Sequence, residues 1–297
     1  MRRYKIIDVF TERAFAGNPL AVVLESTGLD SAAMQAIARE FNLSETVFVA
    51  PAANRAHTAS IRIFTPAQEL PFAGHPTIGT AICVAREHHG DAPQDAVVVL
   101  EEKVGPVRCG VKLADSRAGF AEFDCPKLPE AAGSARPKEF LAAALGIAPT
   151  DIGFENHVPS VWSAGVLYQL VPVRNMSVLA KAAPHSNAWV PAFGRDAAFL
   201  YTRETEGHDH SFRARMFAPE LGVIEDPATG SAVAAFAGAV REFDALPDGS
   251  HAAIVEQGYE MGRPSLIRLE MSVDRAALSA VRIGGHAVEV MDGTLGM

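Results

Sequence analysis

Three short stretches hold side chains whose types and spacing could move protons. In EDPATGSA (225–232) two carboxylates and a proline precede Thr-Gly-Ser and then the small apolar run AVAAFAGAV. A glycine-bearing turn that opens a helix favours anions, because its first amide protons lack intrahelical partners and the helix dipole is positive there. Glu225 and Asp226 therefore either cap this helix or belong to a site that handles protons beside a bound anion. Asp226 lies close enough to Thr229 to cap the helix or hydrogen-bond a substrate, and Ser231 in the first helical turn can offer its hydroxyl to the same anion.

In GHPT (74–77), His75 stands directly before Pro76 at the entrance to a second small-residue run. Capping alone prefers Ser, Thr, Asp or Asn there. The imidazole thus either donates a proton or hydrogen bond into a site or is a satisfied, partly buried histidine. In NLSETVFVA (42–50), Ser44 and Glu45 occupy the turn between an amphipathic helix and an apolar strand. A carboxylate at the mouth of such a strand loses solvent, which moves its pKa toward the range of a general base; a solvated loop acid is the alternative. Gly74 and Gly230 either present amides to the anionic oxygens of a small substrate or only make tight turns.

The elements that must position these residues follow from periodicity. Apolar alternation predicts strands near 4–10, 20–24, 46–50, 57–64, 96–102 and 107–113, with helices over 30–42 and 76–90, the second entered through Pro76. After Pro126, Pro129 and Pro137 the pattern restarts with a helix near KEFLAAALG and strands near VLYQLVPV, AAFLYTR and FRARMF. A helix over 231–243 follows, then strands near AAIVEQG, LIRLEM, AVRIGG and AVEVMDG. The helices at 76–90 and 231–243 are apolar nearly all round, the signature of burial.

Residues 62–81 (RIFTPAQELPFAGHPTIGTA) and 215–234 (RMFAPELGVIEDPATGSAVA) share an Arg-apolar-Phe-x-Pro opening, a short loop, a polar-flanked glycine and an Ala-rich helix. A repeat at about half the chain length indicates two pseudo-equivalent domains rather than a solenoid. The expected class is α+β: two pseudo-symmetric domains, each a curved, barrel-like, mostly antiparallel sheet wrapped around a central helix. The expected boundaries are 1–117 plus 282–297 for the first and 118–281 for the second. Both helix starts would then point into a cleft between the domains, where small-molecule pockets commonly lie.

The totals exclude several classes. A chain of 297 residues exceeds one ordinary core. A formal net charge of -9 with no basic run argues against nucleic acid and anionic membrane, and no stretch approaches a membrane-spanning length. Three cysteines, Cys83, Cys109 and Cys125, lack paired spacing and fit a reducing cytoplasm. The ten histidines form no HExxH or Cys/His cluster, so no metal is expected. Trp162, Trp189, Tyr168, Phe212 and Phe217 either line a pocket or fill the core.

Taken together, DVFTERAFAGNPLAVVL (8–24), NLSETVFV (42–49), RIFTPAQELPFAGHPTIGTA (62–81), RMFAPELGVIEDPATGSA (215–232) and QGYEMGRPSLI (257–267) resemble the PhzF-like family of phenazine-biosynthesis isomerases and, more distantly, the diaminopimelate epimerase fold. The resemblance implies a cofactor-free, usually homodimeric enzyme acting on a small carboxylated substrate. It implies Glu45 as general acid/base, with His75 and Asp226 assisting orientation and proton transfer. Ser231 and the amides near Gly74 and Gly230 would hold the substrate carboxylate, with Ser44 and Thr229 beside them. The family's best-known reaction isomerises trans-2,3-dihydro-3-hydroxyanthranilate.

Racemases and epimerases of the same fold carry a cysteine at each helix entrance. Here those positions are Ala73 and Thr229, which argues against two-thiol racemisation. Ala228 stands where valine is common in the motif and leaves the substrate open. An amino-acid epimerase using Glu45, Asp226 and His75, or a non-catalytic carboxylate-binding protein, are the alternatives.

Overall fold

A computed structural model describes residues 1–90, 92–114 and 117–296. The chain divides into two compact units, Met1–Pro126 with Gly284–Met297, and Lys127–Ile283. The first begins with β1 (Arg2–Val9), β2 (Asn18–Val23), α1 (Ser31–Phe41), β3 (Glu45–Ala50), β4 (Ala59–Phe64) and the short β5 (Glu69–Leu70). It continues with α2 (Gly74–His89), β6 (Gln94–Glu102), β7 (Gly105–Leu113) and β8 (Ala118–Asp124). The second contains β9 (Glu130–Ala131), α3 (Lys138–Leu145), β10 (Ser160–Ser163), β11 (Leu167–Pro172), α4 (Met176–Lys181), α5 (Ser186–Phe193) and β12 (Ala197–Thr202). It goes on through β13 (Phe212–Ala218), β14 (Val223–Asp226), α6 (Gly230–Phe243), β15 (Gly249–Gln257) and β16 (Ser265–Asp274). The last strand, β17 (Ala277–Leu295), starts in the second unit and from Gly284 belongs to the first.

In the first unit β1 pairs with β2, β2 with β3, β3 with β4, β4 with β6, β6 with β7 and β7 with β8. The later part of β17 bonds both β8 and β1 and so closes a barrel of eight strands. Closure leaves no ladder edge to solvent. Two pairs are parallel, β2 with β3 and β4 with β6, and a parallel pair needs a crossover. The first crossover is α1, capped by Asp30, whose side chain accepts from the Ala33 amide, and ended by Asn42 in the left-handed conformation. The second is α2, which runs through the barrel interior. It is buried from Gly74 through Arg86, as an all-round apolar helix requires.

The second unit repeats this plan. β11 and β12 are parallel across α4 and α5, and β13 and β15 are parallel across α6. Antiparallel pairs join β9 to β10, β10 to β11, β12 to β13 and β15 to β16. α6 packs against β9, β10 and β11 as well as against β16, so this sheet curves around its helix. The shared Arg-x-Phe opening has the same use in both units. Arg62 pairs with Glu69 and lies over the Phe64 ring; Arg215 pairs with Glu225 and lies over Phe217. Arg275 and Ala276, with φ of 51° and 59°, form a two-residue turn into β17 whose left-handed backbone conformation matches the right-handed twist of the flanking strands.

Three readings from sequence change. α2 starts at Gly74, not at Pro76, so His75 lies inside the first turn; a proline in that turn loses nothing, because its missing N–H would have had no partner. AVRIGG and AVEVMDG form one continuous strand. Its Gly284 is not a break: an added Cβ would lie 2.9 Å from the Phe120 ring and 3.0 Å from Glu122 Cβ, so the glycine admits β8 at close range. β8, β10, α4 and α5 lacked a clear periodic signal. Trp189, Phe212 and Phe217 are buried core, and Trp162 packs on α6 at Gly238. Among the described residues no helix is long and apolar enough to cross a membrane.

Inward parity on β6 carries Val98, Leu100 and finally Glu102 into the barrel. Glu102 Oε1 lies 2.8 Å from the Thr77 hydroxyl, which also reaches the Ala73 carbonyl at 2.8 Å, beneath the first turn of α2. Burial pushes this carboxyl up from 4.5 to about 8. The folded state therefore keeps a proton that the unfolded chain releases, and stability is lost as pH rises from about 4.5 toward about 8. Glu102→Gln is expected to be more stable than the native chain at pH 8, by about 1–3 kcal/mol, with the difference vanishing near pH 4 in urea titrations. In α6, a Cβ on Gly238 would sit 2.2 Å from the Trp162 ring. Gly238→Ala is expected to lower the urea midpoint, costing about 1–3 kcal/mol through overpacking.

Candidate functional site

In the first unit the site residues gather at the end of the barrel where β2, β3 and α2 all begin. β2 and β3 are parallel with Leu20 opposite Glu45, so Asn18 and Glu45 emerge at the same end. The preceding loop is shaped for this: Phe10, Phe15 and Gly17 all have φ near 65°, and the Asp8 carboxylate accepts from the Phe15 amide at 2.6 Å. Such backbone is strained for phenylalanine and persists only when its surroundings enforce it. At Gly17 a Cβ would lie 2.3 Å from the Val9 carbonyl, so no other residue lets the chain turn this tightly into Asn18.

His75 is held between two side chains. Its Nδ1 lies 3.4 Å from the Asn18 amide nitrogen, and its Nε2 lies 3.4 Å from Glu45 Oε2. With the Asn18 amide donating, Nδ1 is the acceptor and Nε2 carries the hydrogen that faces Glu45. Burial drives the imidazole down to about 3, so it stays neutral. The contact to Glu45 is thus one between a neutral ring and a carboxyl group, longer than a good hydrogen bond, and not an ion pair. The Glu45 side chain is 16% exposed against 6% for His75, so of the two Glu45 is the more accessible. Ser44 is half-buried beside it in the preceding bend, and Gly74 is the first residue of α2.

In the second unit Asp226 ends β14 and Thr229 is the N-cap of α6. The Thr229 hydroxyl donates to Asp226 Oδ2 at 2.6 Å. Gln257, the last residue of β15, donates from Nε2 to the Asp226 carbonyl (2.8 Å) and to Thr229 Oγ1 (3.0 Å), and its Oε1 accepts from the Thr229 amide (3.1 Å). The next residue, Gly258, has φ of 79° and would place a Cβ 2.5 Å from the Pro227 carbonyl, so the Gln-Gly step lies directly against the turn. Gly230 opens α6, and the Ser231 hydroxyl lies 2.7 Å from the Tyr168 hydroxyl. Glu225 separates from this group: it chelates Arg215 at 2.7 and 2.8 Å, while Arg215 also donates to the carbonyls of Leu179, Ala180 and Ala182. Adjacent strand residues face opposite ways, so one acid of EDP is structural and the other stays with the helix start.

The sequence assigns no role to Asn18 or Gln257, and leaves Tyr168 between pocket lining and core. Asn18 and Gln257 lie in the quoted stretches GNPL and QGYE, so a buried amide beside a glycine was the available signal.

The two N-cap positions are Ala73 and Thr229, neither a thiol, and burial pushes the Cys83 and Cys125 thiols up to about 12 and that of Cys109 up as well. Thiolate chemistry has no group to use at either helix start. Elsewhere Glu155, His157 and Asp244 bring potential ligand atoms within 4.8 Å of one another. The Arg203 guanidinium already donates to both carboxylates, at 3.2 Å to Glu155 and 2.6 Å to Asp244, and supplies the positive charge there.

The sequence profile described as phenazine biosynthesis-like protein matches residues 7–293. An uncharacterized isomerase of Mesorhizobium japonicum is 52% identical over 99% of this chain and 98% of its own. The trans-2,3-dihydro-3-hydroxyanthranilate isomerase of Pseudomonas aeruginosa is 34% identical over 99% of each. A Bacillus anthracis phenazine biosynthesis protein of the PhzF family superposes with a TM-score of 0.88 at 25% identity, covering 100% of this chain and 99% of that one. A proline racemase from Agrobacterium radiobacter shares the fold alone, with a TM-score of 0.63 at 12% identity over 100% and 93% of the two chains. Matched by that profile over residues 7–293 and by named isomerases over 99% of its length, the chain belongs to the phenazine biosynthesis-like PhzC-PhzF family and is an enzyme of the isomerase class.

Proposed function

We propose that this enzyme is a cofactor-independent isomerase that moves a proton and a double bond within a small carboxylated substrate, with Glu45 as general acid/base. The reaction resembles that of trans-2,3-dihydro-3-hydroxyanthranilate isomerase, the activity named for a 34% identical relative. The observation that supports it most directly is the pairing of the more accessible carboxyl, Glu45, with an imidazole that burial keeps uncharged.

Glu45 takes a proton from an activated carbon, the C–H electron pair enters the conjugated system, and the double bond moves. The same carboxyl then returns the proton to a second carbon on the same face. Nothing else enters or leaves, so the step balances without an oxidant or reductant. A neutral His75 offers a hydrogen bond through Nε2 without competing for the proton. Asp226 and Thr229 assist orientation and proton transfer. The groups proposed to bind the substrate carboxylate are Ser44 and the Gly74 amide in the first unit and Ser231 and the Gly230 amide in the second, as helix starts favour.

Offered trans-2,3-dihydro-3-hydroxyanthranilate, the native chain is expected to consume it, and Glu45→Gln to lose at least about a thousand-fold in kcat at unchanged melting temperature. Normal turnover by that variant defeats the assignment. Scrambling of an amino-acid α-carbon in heavy water, with the anthranilate untouched, points instead to an epimerase. His75 is expected to remain neutral by NMR down to about pH 4. Its folded pKa lies below the unfolded value, so the unfolded chain takes up a proton first and stability falls as pH drops from about 6.5 toward 3. His75→Asn should lack that part of the decline, up to about 1.4 kcal/mol per pH unit.

A further inference from the structure

The hydrogen bonds of Gln257 have a direction that residue types alone impose. A backbone N–H can only donate, so the Gln257 atom 3.1 Å from the Thr229 amide is the amide oxygen. A backbone carbonyl can only accept, so the atom 2.8 Å from the Asp226 carbonyl is the amide nitrogen. Both ends of the side chain are thereby oriented, and flipping it would set donor against donor and acceptor against acceptor. The second hydrogen on that nitrogen points at Thr229 Oγ1, 3.0 Å away. The threonine hydroxyl accepts this bond, and its single proton goes to Asp226 Oδ2 at 2.6 Å. Gln257 is fully buried, and Asp226 and Thr229 nearly so, so water cannot readily substitute for a missing member.

We propose that Gln257 is a positioning residue that acts through Thr229 to hold Asp226 Oδ2 as a hydrogen-bond acceptor and so sets the proton affinity of the Asp226 carboxyl. The idea rests on the reading that Asp226 serves the reaction. Donation runs one way, from Gln257 to Thr229 to Asp226, and each link is used up by the one before it. A hydroxyl without Gln257 could rotate and accept from a protonated Asp226, which would stabilise the protonated carboxyl. With the amide present that state costs a donor facing a donor. The Gln-Gly step on β15 and the turn on β14 are far apart in sequence but are locked by these bonds and by the Gly258 contact with Pro227.

The test is a 13C NMR titration of the Asp226 carboxyl, assigned with Asp226→Asn, beside melting temperatures and kcat on trans-2,3-dihydro-3-hydroxyanthranilate. Gln257→Glu keeps the shape but offers only acceptors, so the threonine proton turns toward the new carboxylate and away from Asp226. Thr229→Val removes the hydroxyl while leaving the backbone bonds of Gln257 intact. Both are expected to move the Asp226 midpoint upward and to lower kcat about ten- to hundred-fold, the loss associated with a hydrogen bond to a charged group. Thr229→Ser is expected to restore both. An unchanged Asp226 midpoint in folded Gln257→Glu and Thr229→Val, with only the melting temperature lowered, overturns the proposal and makes Gln257 a simple brace. Full activity in Asp226→Asn sinks the functional reading of Asp226 instead, and the titration still decides the hydrogen-bond direction.

Discussion

A helix that is apolar on every side has no stable position at a surface, and this constraint organises the chain. α2 is buried along thirteen residues from Gly74 to Arg86, and α6 is buried on nearly every side from Gly230 to Val240. Enclosing a rod of that length takes a sheet that curves fully around it, which explains the closed ring of the first unit and the curved sheet of the second. Small residues set how close the strands come: a Cβ on Gly79 would lie 2.7 Å from Val9 and 2.8 Å from Leu20. Each large apolar side chain so enclosed, Ile78 or Phe236 among them, contributes about 1.5–3 kcal/mol.

Enclosure also decides the chemistry of the helix starts. Polar groups brought in with the helix must be satisfied locally or remain uncharged. The first unit meets this by neutrality: His75 is held uncharged and Glu102 keeps its proton to about pH 8. The second meets it by hydrogen bonding, through the Asp226, Thr229 and Gln257 network. One plan, visible in the paired Arg62–Glu69 and Arg215–Glu225 clamps, thus carries two different electrostatic solutions.

Fold and reaction separate at a few positions. The barrel plan is shared with a proline racemase at 12% identity, a likeness of fold and not of activity. In this chain the two N-caps are Ala73 and Thr229, neither a thiol, and an acid, Glu45, opens β3.

Much of the plan was legible in one dimension, because periodicity and composition are local. All-round apolarity marked α2 and α6, alternation marked most strands, and the repeated Arg-x-Phe-x-Pro opening announced two similar halves. Boundaries were less legible: Gly284 reads as a break in sequence yet sits within a strand, since only the neighbour on β8 shows why a glycine is needed. Residue types singled out Glu45, His75 and Asp226 as candidates, and the strand parity of β6 could have found Glu102. Tertiary structure alone decided that Glu225 serves Arg215 while Asp226 stays at the helix start, that His75 is uncharged, and that Asn18 and Gln257 hold their neighbours. Those are properties of desolvation and of partners distant in sequence, and no pattern of nearby residues encodes how much water a side chain has lost or which donor faces it.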